Sequence, residues 1–207
     1  MAGSRALPRG GARSSRIVVG VDPCPVSRLA VRWAASLAGW LDADVVVTHA
    51  LGAGPALARA EVPAGSIAAQ VAATLESDWC APFRAAAIPY RLVVREGSPL
   101  DVLQQVVDTE APDLLVTGRH TGATERGWHS TSLGMLARPR VPTLVVPEPS
   151  PEAATAAVPS GGPKVAVRRI LVGVDGSPPS RRALDWAVRL AGSVGGDVVA
   201  VATVEEV

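Results

Sequence analysis

The chain has 207 residues, 48% of them apolar, with 20 Lys plus Arg against 19 Asp plus Glu. Charge this close to neutral leaves no electrostatic footprint for nucleic acid or an anionic membrane, and no apolar run approaches the roughly 18 residues that cross a bilayer. The length allows one or two domains, and the apolar share is enough for a real core.

Residues 1–15 are rich in Arg, Gly and Ser and lack an apolar stretch, so they read as a disordered leader rather than a secretory signal. Ile17–Val21 is a short β-branched run, the first strand, and it delivers Asp22 to a turn. The helix that follows, from about Ser27 to Leu41, repeats Ala30, Trp33, Ala34, Leu37, Ala38 and Leu41 at steps of three and four. Val45–His49 is a second buried strand. Leu51–Gly65 is an Ala/Gly/Pro loop. A helix starts near Ser66 and takes in Val71, Leu75 and Trp79, and Pro82 should kink or restart it. Tyr90–Val94 is the third strand. Pro99 opens the next helix, with Leu100, Leu103, Val106 and Val107 on its apolar side. Leu114–Thr117 is the fourth strand, Gly118–His129 a polar loop, and Ser130–Arg138 a short helix with Leu133, Leu136 and Ala137 inward. Thr143–Val146 is the fifth strand. Strands alternating with helices mean a parallel sheet covered on both faces.

Residues 149–168 fall in a Pro/Ala/Ser/Gly linker. Then the pattern returns at a constant offset (170 − 17 = 153): Ile17, Gly20, Asp22, Ser27, Trp33, Leu37, Gly39 and Asp44 recur as Ile170, Gly173, Asp175, Ser180, Trp186, Leu190, Gly192 and Asp197. Such self-similarity signals duplication. The expected divisions are a leader over 1–15, a complete domain over 16–148, the linker, and a partial second copy over 169–207 with one strand, one helix and a second strand.

Cys24 and Cys80 have no CxxC spacing, so they read as reduced thiols of a cytoplasmic protein rather than a disulfide or zinc site. His49, His120 and His129 are too scattered to suggest a metal centre. Trp33 and Trp186 read as core, and His49 as packed rather than ligating. There is no G-x-x-x-x-G-K-[ST] loop and no G-x-G-x-x-G after a strand. No serine has an activating neighbour in sequence, and no enzyme activity is expected.

Together, Ile-Val-Val-Gly-Val-Asp22, Ile-Leu-Val-Gly-Val-Asp175-Gly-Ser, Val-Val-Val-Thr-His49, Glu96-Gly-Ser-Pro99, Asp113-Leu-Leu-Val-Thr-Gly118 and Val141-Pro-Thr-Leu-Val-Val-Pro147 resemble the universal stress protein family, in its tandem arrangement with a shortened second domain. The resemblance implies an α/β, Rossmann-like open sheet of five parallel strands in the order 3-2-1-4-5, helices on both faces, and a homodimer through the last strand of the first domain.

For one branch of the family the resemblance also implies ATP, with Asp22 and Ala50 at the adenosine and the phosphates in a G-x2-G-x9-G-[ST] loop. Gly118 matches the first glycine, but Thr121 stands at the second. The third position is Thr131, before Ser132, in one register and His129, before Ser130, in the other. Glycine lets the backbone approach an anion and take positive φ, and a β-branched Thr121 does so poorly. Asp22 could also cap its own turn, and Ser130 or Ser132 could be a helix N-cap. The leading expectation is a stress-response regulatory module that acts by binding and dimerisation with a degraded nucleotide loop. The alternatives are an ATP-binding sensor with at most slow hydrolysis, needing no metal beyond Mg accompanying ATP, and an adenylate-type transfer enzyme.

Overall fold

The computed structural model describes residues 15–52, 64–119, 131–137, 140–148 and 165–202. It divides into two compact units, Met1–Pro163 and Lys164–Val207.

In the first unit the order is β1 (Ser15–Val21), α1 (Pro25–Leu41), β2 (Ala43–Leu51), α2 (Ala64–Thr74), a π-helical turn (Leu75–Trp79), α3 (Ala81–Ala85), β3 (Tyr90–Glu96), α4 (Pro99–Glu110), β4 (Leu114–Arg119), α5 (Thr131–Ala137) and β5 (Thr143–Pro147). The five strands form one parallel sheet in the order β3-β2-β1-β4-β5, as the resemblance implies. The strands are continuous β-branched runs because both faces are covered. Val18, Val46 and Leu115 pack with Val102, Leu103, Val106 and Val107 of α4 and Met135 of α5.

Two glycines show how the helices sit. A Cβ on Gly20 would meet Leu103 of α4 at 3.1 Å, and one on Gly118 would meet Val26 of α1 at 2.9 Å. Gly20 pairs with Thr117, so Gly118 points to the opposite face. The sheet is therefore held between α4 and α1. At its amino edge, Arg16 bonds Asp44 and Glu110, each at 3.1 Å, and its amide donates to Asp113 Oδ2 at 2.9 Å. Arg91 pairs with the same Glu110. One guanidinium thus ties together β1, β2 and the end of α4.

The helix broken at Pro82 restarts at Ala81, with Pro in its first turn. The Arg84 guanidinium donates to the Glu76 and Ser77 carbonyls of the π-helical turn.

Three expectations need correction. In α5 the buried residues are Ser132 and Met135, while Leu133 and Leu136 are 50% and 44% exposed and Ala137 is exposed. A two-turn helix turns a single i, i+3 pair inward, and here that pair includes a serine whose hydroxyl donates to the Gly118 carbonyl. Trp33 and Trp186 are half-buried rather than core, because the small residues Ala34 and Ala187 beside them take the inner positions. The expected loop at Leu51–Gly65 starts later, since Leu51 belongs to β2, and the next helix begins at Ala64.

The second unit has β6 (Arg169–Gly173), α6 (Pro178–Val194) and β7 (Asp197–Val201), with β6 and β7 paired in parallel. Leu171, Val199 and Val201 are 69%, 38% and 43% exposed. Their counterparts at the repeat offset are Val18, Val46 and Thr48, all buried in the first unit.

Candidate functional site

At the carboxyl edge of the first sheet, β1 ends at Val21 and the chain turns through Asp22 into α1. Ser27, 3% exposed, accepts the Asp22 amide N–H at 3.1 Å and donates to Asp22 Oδ1 at 2.5 Å. The aspartate is thereby held over the first turn of α1, while its residue remains exposed. Cys24 occupies the N-cap position of α1 without a side-chain cap bond. Burial, then the neighbouring Asp22, raises its thiol pKa.

His49, near the end of β2, has Nδ1 2.8 Å from the Val21 carbonyl. A carbonyl only accepts, so Nδ1 carries the proton, and the ring ties the end of β2 to the end of β1. On β4, Thr117 donates to Ser132 Oγ at 3.3 Å and Ser132 donates to the Gly118 carbonyl at 2.7 Å. Ser132 therefore belongs to a buried network and is not an N-cap. At the start of α4, Ser98 accepts the Asp101 N–H at 3.2 Å and places Pro99 at the rim.

These ends line a cleft that is open to solvent. Asp22, Ala50, Gly118, Thr131 and Ser132 all line it. Thr121 and Ser130, with the loop between β4 and α5, lie outside the described residues. Gly118 has a second reason to be glycine: a Cβ there would strike Val26 of α1, including its backbone carbonyl carbon at 3.3 Å.

The sequence reading missed several lining residues: Ser27, Thr48 and Thr117 on the polar side, and Pro99, Val102 and Leu103 of α4. Two of them left a trace. Thr48 and Thr117 are the polar residues that end otherwise apolar buried runs. Among the described residues there is no group of three or more His, Cys, Asp or Glu placed to hold a metal ion.

The sequence pattern of the universal stress protein family matches residues 14–147 and 166–207. The chain belongs to the universal stress protein family. No curated relative is found. Among solved structures, a universal stress protein from Archaeoglobus fulgidus aligns with a TM-score of 0.65 at 15% identity, covering 94% of this chain and 69% of that one. A universal stress protein in complex with cAMP aligns with a TM-score of 0.54 at 20% identity, covering 64% and 96%. Universal stress protein UspA from Lactobacillus plantarum aligns with a TM-score of 0.52 at 20% identity, covering 66% and 99%. At these identities the likeness establishes a shared fold. No helix among the described residues of this universal stress protein is long and apolar enough to cross a membrane.

Proposed function

We propose that the first unit is a stress-response module that takes an adenine nucleotide in the cleft at the carboxyl edge of its sheet, and that it acts by binding rather than catalysis. The observation that carries the reading is the convergence of Asp22, Ala50, Gly118, Thr131 and Ser132 on one cleft. This is the edge of an open α/β sheet at which ligands bind, beside the strand where the order reverses. The relative in complex with cAMP adds support for an adenine nucleotide.

The grip on phosphate is weak in this reading. Thr121 replaces a glycine of the loop pattern, and neither register keeps the third. Backbone N–H groups hold phosphate best where glycine lets them approach it. AMP and ATP with Mg are therefore expected to bind with affinities within about tenfold of each other, since the added phosphates contribute little. The module pairs with a second copy along β5, which is an edge strand of the sheet and so offers unpaired backbone groups. Its two lone thiols suit a reducing, cytoplasmic compartment.

Calorimetric titration with AMP, cAMP and ATP with Mg tests this, with Ala50→Trp as the variant that fills the cleft. Binding of AMP to the wild type and its loss in Ala50→Trp are expected. A wild type that binds none of the three overturns the reading. ATP binding at least a hundredfold tighter than AMP would install the ATP-sensor alternative, with a phosphate loop that functions despite its missing glycines.

A further inference from the structure

The four buried hydroxyls around this cleft are not alike. Ser27 is bonded to Asp22, and Thr117 and Ser132 are bonded to each other. Thr48, 1% exposed, also lines the cleft, yet its Oγ1 has no hydrogen-bond partner among the described residues. A buried hydroxyl without a partner costs free energy, and native structures keep such groups rarely and for a reason.

Its position narrows the reason. Thr48 pairs directly with Gly20, which pairs on its other side with Thr117. The floor of the cleft is therefore a row across β2, β1 and β4, with a hydroxyl at each end and no side chain except hydrogen between them. The two ends differ in company. Beside β4 the lining is polar, with Ser132 and Thr131 next to Thr117. On β2, Ala50 follows Thr48 by two residues and so shares its face, and α4 adds the apolar lining residues Pro99, Val102 and Leu103, the last of them against Gly20. Two strand spacings separate β2 from β4, roughly 10 Å, which suits a nucleoside laid across the strand ends. In the nucleotide reading, which takes this from the family resemblance, the adenosine lies by Asp22 and Ala50 and the phosphates at the loop after β4, so the ring lies toward the β2 end.

We propose that Thr48 Oγ1 is a specificity-determining contact that reads the polar edge of the purine ring. It favours a ring that carries a hydrogen-bonding substituent at the 6-position over one that carries hydrogen there. A hydroxyl both donates and accepts, so it pairs with an amino group and the ring nitrogen beside it. A site holding a polar group for this purpose rejects the analogue that lacks the partner, because the group is then left buried and unpaired. The inference rests on the nucleotide reading of the cleft given above.

The test is a cycle of calorimetric titrations on the full chain, with wild type, Thr48→Val and Thr48→Ser, against AMP and purine riboside 5′-monophosphate, which lacks the 6-amino group. Wild type is expected to bind AMP about 2- to 12-fold tighter than the purine analogue, the range for one net neutral hydrogen bond. Thr48→Val, which keeps the shape of the side chain, is expected to lose that preference, and Thr48→Ser to keep most of it. Thermal melting without ligand should show Thr48→Val at least as stable as wild type, since no internal hydrogen bond is removed. A Thr48→Val protein that still prefers AMP as the wild type does overturns the contact. Equal wild-type affinity for the two ligands overturns it too, even if a variant fails to fold. Both outcomes leave the nucleotide reading standing. Failure of the wild type to bind AMP at all removes the nucleotide reading and this inference together.

Discussion

Ser27 Oγ sits 2.5 Å from Asp22 Oδ1 and 3.1 Å from the Asp22 amide nitrogen, so one buried hydroxyl clamps the aspartate at both its side chain and its backbone. The residue assigned to the ligand by resemblance is thus tied to the first turn of α1. Ser27→Ala removes both bonds and leaves a small void. It should cost about 1–2 kcal/mol in urea denaturation and weaken AMP binding, because the carboxylate loses its bond to that hydroxyl. Unchanged stability would mean that the clamp is not formed in solution.

The two copies of the repeat differ at the same cap. Ser177 accepts the Ser180 amide at the head of α6, while its counterpart Cys24 makes no side-chain cap at the head of α1. Cys24→Ser should therefore stabilise the first unit by about 1 kcal/mol, the usual worth of an N-cap hydroxyl. A higher midpoint of thermal unfolding, read by circular dichroism, is the expected result.

Gly118 faces two demands. A Cβ would lie 2.9 Å from the Val26 side chain. Gly118→Ala should cost about 1–3 kcal/mol by overpacking, with or without nucleotide. If the glycine served only the phosphate, the loss would fall on nucleotide affinity, with denaturation unchanged.

In α5 the apolar residues differ sharply in burial. Met135 is 4% exposed and Leu136 is 44% exposed. Met135→Ala should cost about 2–4 kcal/mol, and Leu136→Ala no more than about 0.5 kcal/mol. Chemical denaturation of the two variants side by side checks this.

Asp175 is held at a pKa of about 2, against an ordinary 3.8, first by the hydroxyl and amide of Ser177 and then by Ser180. The shift is downward, so the carboxylate's contribution to folding of the second unit is complete above the ordinary value. It is lost as pH falls from there toward 2. Carboxyl carbon chemical shifts followed through an acid titration should give a midpoint well below that of an ordinary aspartate, and Ser177→Ala should move it upward. A midpoint near 3.8 in the wild type would contradict the arrangement.

Much of this structure was legible in the chain. Val45–Val47 and Leu114–Val116 declare themselves as strands because a parallel sheet buried on both faces admits unbroken apolar runs. The three- and four-residue steps of Ala30, Ala34, Leu37 and Ala38 mark the inner face of α1, and all four are buried. Orientation in α5 was not legible. Whether Leu133 or Ser132 points inward depends on where the short helix crosses the sheet edge and on a hydrogen bond to Gly118, neither of which periodicity over two turns encodes. The Trp33 and Trp186 expectation failed because apolar character does not measure depth. At the cleft, Asp22 and Ala50 came from resemblance, and the structure brings them together. The Ser27 clamp left a trace in the repeat, where Asp22 and Ser27 recur together as Asp175 and Ser180, and the Ser180 hydroxyl accepts the Asp175 amide at 3.4 Å. Thr48 and Thr117 did carry one, as polar residues closing apolar strands.

The strand order has a consequence for how the chain acquires its shape. β1 is central in the sheet but first in the chain, and the contact from its Arg16 to Asp113 spans 97 residues. During synthesis β1, β2 and β3 emerge long before β4 can join them. Through that interval β1, one of the most apolar strands of the protein, is a bare edge able to pair with any extended segment nearby. Closure by β4 is a long-range parallel pairing, the slow kind. Refolding yield should therefore fall as protein concentration rises, and the arrival of Leu114–Arg119 marks the point beyond which aggregation no longer competes.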